Sequence, residues 1–240
     1  MSTRKSGSSN KSNNLYYIVG AVVAALVVAG VLIAVSMSGG DGTDKVADDA
    51  TIAEVQANME GIPASGVVLG EPDAPVTITE YSDIACIHCR TAALQSIPTV
   101  VTELVRTGEA KLEFAPTAFI STSSERGALG VLAAADQDAA WPFSEVLFHM
   151  QGSASTDWLS DADMESVAEQ LGMDVEAWKQ AYAGSAVEDA FIASRDAVAA
   201  AGVTSTPTFI ITGPGGTERV EGAVPAADLI AAVEKVSTPS

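Results

Sequence analysis

The chain has two cysteines, and they stand together in Cys86-Ile87-His88-Cys89. Two thiols separated by two residues can lie within one turn of a helix and form or break a disulfide there. A static disulfide across so short a loop would remove little chain entropy. A structural zinc site needs about four ligands, which His88 and the distant His149 would have to complete. We therefore interpret the cysteine pair as a redox-active dithiol.

The residues on either side predict the elements that hold this dithiol. Val76–Tyr81 is rich in β-branched residues and indicates a strand that runs toward the cysteines. After Cys89, apolar residues recur at three- and four-residue steps as far as Val105, which indicates a helix with a kink at Pro98. Lys111–Ala115 indicates a second strand. Together these elements predict a parallel βαβ unit with the cysteines at the N-terminus of its helix.

That position determines the chemistry expected of each sulfur. Unpaired backbone N–H groups and the positive end of the helix dipole favour a thiolate, so the pKa of Cys86 should lie below its usual value of about 8.5. A hydrogen bond or a positive charge from His88 would lower that pKa further. Because a stable thiolate stabilises the reduced state, it makes the disulfide a stronger oxidant. We expect substrate to attack Cys86, and Cys89 to resolve the mixed disulfide from a buried position.

A carboxyl group stands close to the predicted dithiol. Glu80 lies six residues before Cys86, on the strand face that Val76 and Ile78 share. This alternation predicts that Glu80 is buried, and the alternative is an outward-facing strand residue. A buried carboxyl has a raised pKa and can relay a proton to or from Cys89.

The remainder of the chain predicts a helical block followed by a return to strands. Residues from about 123 to 201 show helical spacing of apolar side chains. Pro207–Thr212 and Thr217–Val220 then indicate a hairpin around a glycine-rich turn. A final helix is predicted from Pro225 to about Val236.

This order of elements, together with three segments of sequence, resembles the DsbA-like thiol-disulfide oxidoreductases in their membrane-anchored Gram-positive and actinobacterial form. The segments are Gly61–Val76, Glu80–Cys89 and Val203–Phe209. The resemblance begins at Gly61 and implies an α/β, thioredoxin-like fold with an all-helical insertion, preceded by one transmembrane helix. Ile87 departs from the family, which often has proline directly after the first cysteine.

The resemblance also implies roles for residues outside the dithiol. Thr206-Pro207 would form a cis-proline loop against the cysteines, and the Thr206 backbone would pair with an extended substrate chain. The alternative is a trans proline that begins a strand. Glu80 stands where the family carries an acid beneath the active site. The expected site has no metal and no cofactor, and it comprises Cys86, Cys89, His88 and Glu80 for catalysis and Thr206 and Pro207 for substrate binding.

The N-terminal region predicts a membrane anchor. Leu15–Met37 has 23 residues without a charge, enough to cross a hydrocarbon core of about 30 Å. Basic residues precede it, which places the N-terminus in the cytoplasm and the large domain outside. A cleavable signal peptide, whose apolar region is usually about 7–15 residues, is the alternative. The predicted divisions are a cytoplasmic tail at 1–14, the anchor at 15–37, a linker with a short helix at 38–60 and the redox domain at 61–240.

The distribution of charge excludes one class of partner. The formal net charge is −19, and no acidic residue precedes Asp41. The chain beyond the apolar segment is therefore strongly acidic and would repel phosphate backbones, so we predict no nucleic-acid partner.

Taken together, these patterns predict a membrane-tethered, extracytoplasmic oxidoreductase that forms disulfides in exported proteins with free thiols. The family resemblance implies a membrane reoxidant of the DsbB or VKOR type, and residues 15–37 imply contact with membrane lipid. One alternative is a reductase or isomerase, for example in cytochrome c maturation. Another is a non-catalytic adaptor on a thioredoxin scaffold, although such a module would not need both thiols.

Overall fold

A six-stranded mixed sheet forms the centre of the structure, a computed structural model that describes residues 47–239. In chain order the strands are β1 (Ala64–Ser65), β2 (Val68–Leu69), β3 (Val76–Asp83), β4 (Ala110–Thr117), β5 (Thr208–Gly213) and β6 (Gly216–Glu221). They lie in the order β1-β2-β4-β3-β5-β6, with β3 and β4 parallel and the other neighbouring pairs antiparallel. Strand β3 thus lies inside the sheet, and its carboxyl end leads directly to the cysteines.

Helices make up most of the remaining chain between residues 47 and 239. They are α1 (Asp49–Met59), α2 (Ile87–Gln95), α3 (Ile97–Val100), α4 (Thr122–Ala135), α5 (Ala140–Met150), α6 (Asp161–Gln170), α7 (Val175–Tyr182), α8 (Ser185–Ala200) and α9 (Ala226–Ser237), with a π-helical segment at Val101–Val105 directly after α3. Helices α4 to α8 lie between β4 and β5 along the chain, which is the place predicted for the helical insertion.

The predicted βαβ unit is confirmed, because β3 and β4 pair in parallel and α2 lies between them in the chain. Val76 and Ile78 are buried and alternate with partly exposed threonines, as the period of a strand requires. Helix α2 ends at Gln95 and α3 begins at Ile97, so the predicted kink is present just before Pro98. Proline donates no N–H to the helix, and its ring would clash with the carbonyl four residues earlier.

Two buried tryptophans attach the helical insertion to the sheet and to itself. Trp141 on α5 packs edge-on against Phe114 of β4, with ring centroids 5.6 Å apart, and its Nε1–H donates to the Val67 carbonyl at 2.9 Å. Trp178 on α7 donates its Nε1–H to the Gly130 carbonyl of α4 at 3.1 Å. Each indole therefore buries its ring while its polar hydrogen keeps a partner.

Helix α4 lies directly on the turn that precedes the cysteines. A Cβ atom at Gly127 would come within 2.9 Å of the buried Ile84 side chain. Nonbonded carbon atoms prefer separations of about 3.5–4.0 Å, so glycine is what lets this helix approach so closely. The insertion therefore supports the cysteine turn from one side while β3 leads into it.

The first described element, α1, belongs to the same packed unit as the sheet. It contacts α5 and places Ile52 and Val55 in the core. The predicted tail at 1–14 and the predicted anchor at Leu15–Met37 lie outside the described residues. Among residues 47–239, none of the helices combines the length and the apolar character needed to cross a membrane.

Candidate active site

The two thiols lie at the N-terminus of α2, where the sequence predicts them. Cys86 is the N-cap residue, so its sulfur stands beside the unpaired N–H groups of the first turn. Both cysteines are free thiols, and the structure therefore represents the reduced state. Cys86 exposes 6% of its surface, whereas Cys89 is fully buried. An incoming sulfur can therefore reach Cys86 more readily than Cys89.

The surroundings of Cys86 strongly favour its thiolate. A hydrogen bond from the Cys89 thiol is the largest cause that lowers the pKa of Cys86, to about 5. The Thr206 side chain and the backbone N–H groups of Cys89 and His88 lower the pKa further, and together these donors outweigh the opposing effect of burial. This agrees with the expectation that a sulfur at a helix N-terminus is acidic.

The pKa of the second cysteine, Cys89, is shifted in the opposite direction. Burial is the largest cause that raises the pKa of Cys89 well above its ordinary value, and the neighbouring Cys86 sulfur adds to that increase. The backbone N–H of Asp83, which donates to Cys89 Sγ at 3.4 Å, partly opposes it. At neutral pH the reduced site therefore holds one thiolate, on Cys86, and one thiol, on Cys89.

His88 contributes to the site mainly through its main chain. Its side chain is exposed, and its effect on the pKa of Cys86 comes from its backbone N–H. A role for the imidazole as a donor or a positive charge stays a prediction. Ile87, where the family often has proline, exposes 57% of its surface beside the reactive sulfur.

The Thr206-Pro207 peptide bond is cis, as the resemblance implies, and its loop lies against Cys86. The Cys86 thiol donates to the Thr206 carbonyl at 3.4 Å. That carbonyl can accept only from the protonated sulfur, while the Thr206 side chain favours the thiolate. Thr206 is partly exposed and Pro207 is buried. Pairing of the Thr206 backbone with a substrate chain stays a prediction.

Glu80 is buried on β3, so the prediction from strand alternation is confirmed. Burial raises the pKa of Glu80 from 4.5 to about 7, and the Ser82 side chain partly opposes this shift. Its Oε1 atom has no hydrogen-bond partner among the described residues. Ser82 also lowers the pKa of Cys89, although its Oγ, like Glu80 Oε1, makes no hydrogen bond among the described residues. The predicted proton transfer between Glu80 and Cys89 stays a prediction.

Sequence reasoning assigned no role to Asp83, which organises the turn between β3 and α2. Its Oδ1 accepts from the Ala85 N–H at 2.8 Å, and its Oδ2 accepts from the Phe119 N–H at 2.7 Å. Its carbonyl accepts from the Cys86 N–H at 2.9 Å, and its N–H reaches Cys89 Sγ. The tendency of aspartate to bond the backbone two residues on is a signal that could have identified it.

The end of α5 holds the same turn from the opposite direction. Gln151, which follows α5, donates from Nε2 to the carbonyls of Ile84 at 2.6 Å and Cys86 at 3.1 Å. Arg90 on α2 donates from Nε to the Phe148 carbonyl on α5 at 3.0 Å. These contacts join residues more than fifty positions apart in the chain, so no local sequence pattern could have predicted them.

Within residues 47–239, no group of three or more His, Cys, Asp or Glu side chains could hold a metal ion. The groups that the structure brings together at the site are two sulfurs, backbone donors and a buried carboxyl.

Comparison with known proteins places the chain among thiol-disulfide enzymes. Residues 64–235 match the family model described as thioredoxin. The probable disulfide bond formation protein D of Bacillus anthracis is 25% identical over 149 residues, which are 60% of this chain and 69% of that protein. The disulfide bond formation protein D of Bacillus subtilis is 30% identical over 107 residues, 44% of this chain and 46% of that protein.

Solved structures show the same fold. Oxidised BdbD from Bacillus subtilis matches with a TM-score of 0.63 and 21% identity, over 72% of this chain and 97% of that chain. The thiol-disulfide exchange protein α-DsbA2 from Wolbachia pipientis matches with a TM-score of 0.60 and 20% identity, over 79% and 95%. The predicted thioredoxin-like α/β fold is confirmed. The chain therefore belongs to the thioredoxin family, within which it is a thiol-disulfide oxidoreductase of the DsbA type.

Proposed function

We propose that this oxidoreductase is a membrane-tethered, extracytoplasmic oxidase that donates its Cys86–Cys89 disulfide to exported proteins with free thiols. The observation that carries the proposal is the lowered pKa of Cys86, about 5 in the reduced state. A sulfur that is stable as a thiolate stabilises the reduced enzyme, and this makes the disulfide a strong oxidant.

The reaction proceeds in two exchanges. A substrate thiolate attacks the Cys86 sulfur, the bond to Cys89 breaks, and Cys89 leaves as a thiolate that takes up a proton. A second substrate thiolate then attacks the substrate sulfur of the mixed disulfide and releases Cys86 as a thiolate. The substrate loses two electrons and gains a disulfide, while the enzyme ends as the thiolate–thiol pair described above.

Exposed apolar side chains around Cys86 support a protein as substrate. Ile87 exposes 57% and Phe119 exposes 52% of its surface. The Phe119 backbone is held by Asp83, so this ring belongs to the segment fixed against the cysteine turn. Unfolded client chains expose apolar side chains as well as thiols, and the Thr206 backbone would pair with such a chain in extended conformation.

Continuous turnover requires that the dithiol be reoxidised. A membrane protein of the DsbB or VKOR type, which accepts two electrons, would supply this step. The apolar segment Leu15–Met37 supports this arrangement, because an anchor in the lipid would keep the enzyme beside such a partner. The names of the Bacillus relatives, which are disulfide bond formation proteins, also favour oxidation of substrates over their reduction.

The acidity of Cys86 predicts the pH dependence of its reactivity. In the reduced protein, the rate of alkylation by iodoacetamide should rise with a midpoint near pH 5 and stay constant above about pH 6.5, because only the thiolate reacts. The Cys89→Ala variant lacks the largest donor to that thiolate, so its midpoint should lie higher. A wild-type midpoint near the ordinary thiol value would contradict the proposal.

The different roles of the two sulfurs, Cys86 as the exchanging and Cys89 as the resolving thiol, predict opposite outcomes for two single variants. With a disulfide-containing protein as substrate, reduced Cys89→Ala should accumulate mixed disulfides on a non-reducing gel. The Cys86 thiolate attacks a substrate disulfide and one substrate sulfur leaves as a thiolate, while Cys89, which would displace the bound substrate, is absent. Cys86→Ala should form none and should show only background disulfide exchange, because Cys89 is buried. Equal trapping by the two variants would show that the assignment of the attacked sulfur is wrong.

The raised pKa of Glu80 predicts that its removal stabilises the protein at high pH. The unfolded chain ionises this carboxyl above about pH 4.5 while the folded protein retains the proton to about pH 7, so stability is lost as pH rises through this range. Glu80→Gln should therefore raise the free energy of unfolding at pH 8 by about 2–3 kcal/mol and by little at pH 5.

Denaturant unfolding of the oxidised proteins at several pH values measures this effect without interference from thiol ionisation. The exposed Glu103→Gln provides a matched control and should follow the wild type throughout. If the curve for Glu80→Gln runs parallel to that of the wild type from pH 5 to pH 8, Glu80 does not hold a proton in the folded protein.

A further inference from the structure

A second buried carboxyl, on Glu145, has no part in the function described above. It lies on α5 and exposes 5% of its surface. Trp141 and Phe148 share its helix face, four residues before it and three after it. Trp141 packs against Phe114, which is the direct cross-strand neighbour of Glu80. The Phe148 carbonyl accepts from the helix that begins at the cysteines. The segment of α5 that carries Glu145 therefore packs against the strand neighbour of Glu80 and also contacts the cysteine helix.

The other side of Glu145 faces a cavity between α1, α5 and the kink of the cysteine helix. The cavity is lined by Glu145 at its buried end and by Glu54, Asn58, Leu94 and His149 among others. Glu54 is exposed and His149 is partly exposed, so the cavity extends from the buried carboxyl toward solvent. Glu145 is thus the residue that both approaches Glu80 and lines this opening.

Neither buried carboxyl has a salt-bridge partner among residues 47–239. Burial is the largest cause that raises the pKa of Glu145 well above its ordinary value, and the charge of Glu80 adds to it. Two like charges this close in an apolar interior are costly, so the pair retains at least one proton near neutral pH. Both carboxyls therefore hold their protons to higher pH than an exposed glutamate does.

The remaining charged groups around the cavity come from the elements packed on it. Arg90 projects from α2, and Asp48 and Glu54 belong to the α1 region. Burial is the largest cause that lowers the pKa of His149. The charge of Arg90 lowers this pKa further, whereas the charges of Glu54 and Asp48 raise it. At neutral pH His149 is therefore mainly a neutral imidazole, which can accept a proton on one ring nitrogen and donate one from the other at the outer part of the cavity.

We propose that Glu145 exchanges protons with Glu80 and connects the redox site to solvent through this cavity, with His149 at its outer part. The proposal rests on the proposed function, because the proton in question is the one that Cys89 gains or loses. When substrate opens the disulfide, Glu80 gives a proton to the Cys89 thiolate. Glu145 then gives its proton to Glu80, and solvent restores the proton on Glu145. Reoxidation of the dithiol moves the proton in the reverse direction.

The kinetic test uses Glu145→Gln in the full chain, with the exposed Glu103→Gln as the matched control. The rate at which glutathione reduces the disulfide is measured from pH 5 to pH 9 and corrected for the glutathione thiolate. Below about pH 6 Glu80 is protonated, so Glu145→Gln should match the wild type. At pH 8–9 the variant should be about tenfold slower, because Glu145 no longer reloads Glu80.

A spectroscopic test measures the electrostatic coupling between Glu80 and Glu145 independently of activity. Carboxyl titration by NMR of ¹³C-glutamate-labelled reduced protein should show two glutamates with raised midpoints, one of which disappears in Glu145→Gln. In Glu80→Gln the Glu145 midpoint should fall, because the neighbouring charge is gone. An unchanged Glu145 midpoint would overturn the coupling.

The two hypotheses fail in different ways. If the wild type and Glu103→Gln do not exchange disulfides at any pH, the proposed function is wrong and the proton route is wrong with it. If both exchange and Glu145→Gln has their pH profile, only the proton route is overturned. If Glu145→Gln does not fold, His149→Asn tests the outer part of the cavity instead. This variant should show the same loss of rate above pH 8, and an unchanged pH–rate profile would contradict the proton route.

Discussion

The negative charge on the Cys86 sulfur is stabilised by donors that come from two separate parts of the chain. The Cys89 thiol and the first N–H groups of α2 lie on one side of it, and the Thr206 side chain lies on the other. The parallel pairing of β3 with β4 brings α2 to this place, and the antiparallel pairing of β3 with β5 brings the Thr206-Pro207 loop to it. Asp83 and Gln151 then fix the turn that carries the sulfur. The sheet and the helical insertion thus act together to position the Cys86 sulfur.

The two faces of the dithiol differ in their electrostatics. On the outer face, backbone and side-chain donors surround Cys86, and exposed apolar side chains flank it. On the inner face, Cys89, Glu80 and Glu145 are buried, and the pKa of each is raised by burial. The outer face therefore stabilises the leaving thiolate, while the inner face favours protonated groups. An asymmetry of this kind lets one sulfur exchange readily while the other holds its proton.

Much of this site could be predicted from short-range patterns. The alternation of β3 predicted the burial of Glu80, the change from strand to helix spacing placed Cys86 at a helix N-terminus, and Pro98 marked the kink. The burial of Glu145 could not be predicted in this way. Trp141 and Phe148 on the same helix face give a local hint, but the burial itself depends on how α5 packs against α1 and α2, which are distant in the sequence.

Ile87 stands where the family often has proline, so whether this protein oxidises or reduces its substrates has to be measured. If the donors around Cys86 control the stability of the reduced state, the protein should be a strong oxidant despite this change. Equilibration of the protein with mixtures of reduced and oxidised glutathione tests this claim most directly. The account predicts a reduction potential near about −120 mV, the value of a strongly oxidising dithiol, whereas a potential near about −270 mV, typical of a reductant, would contradict it.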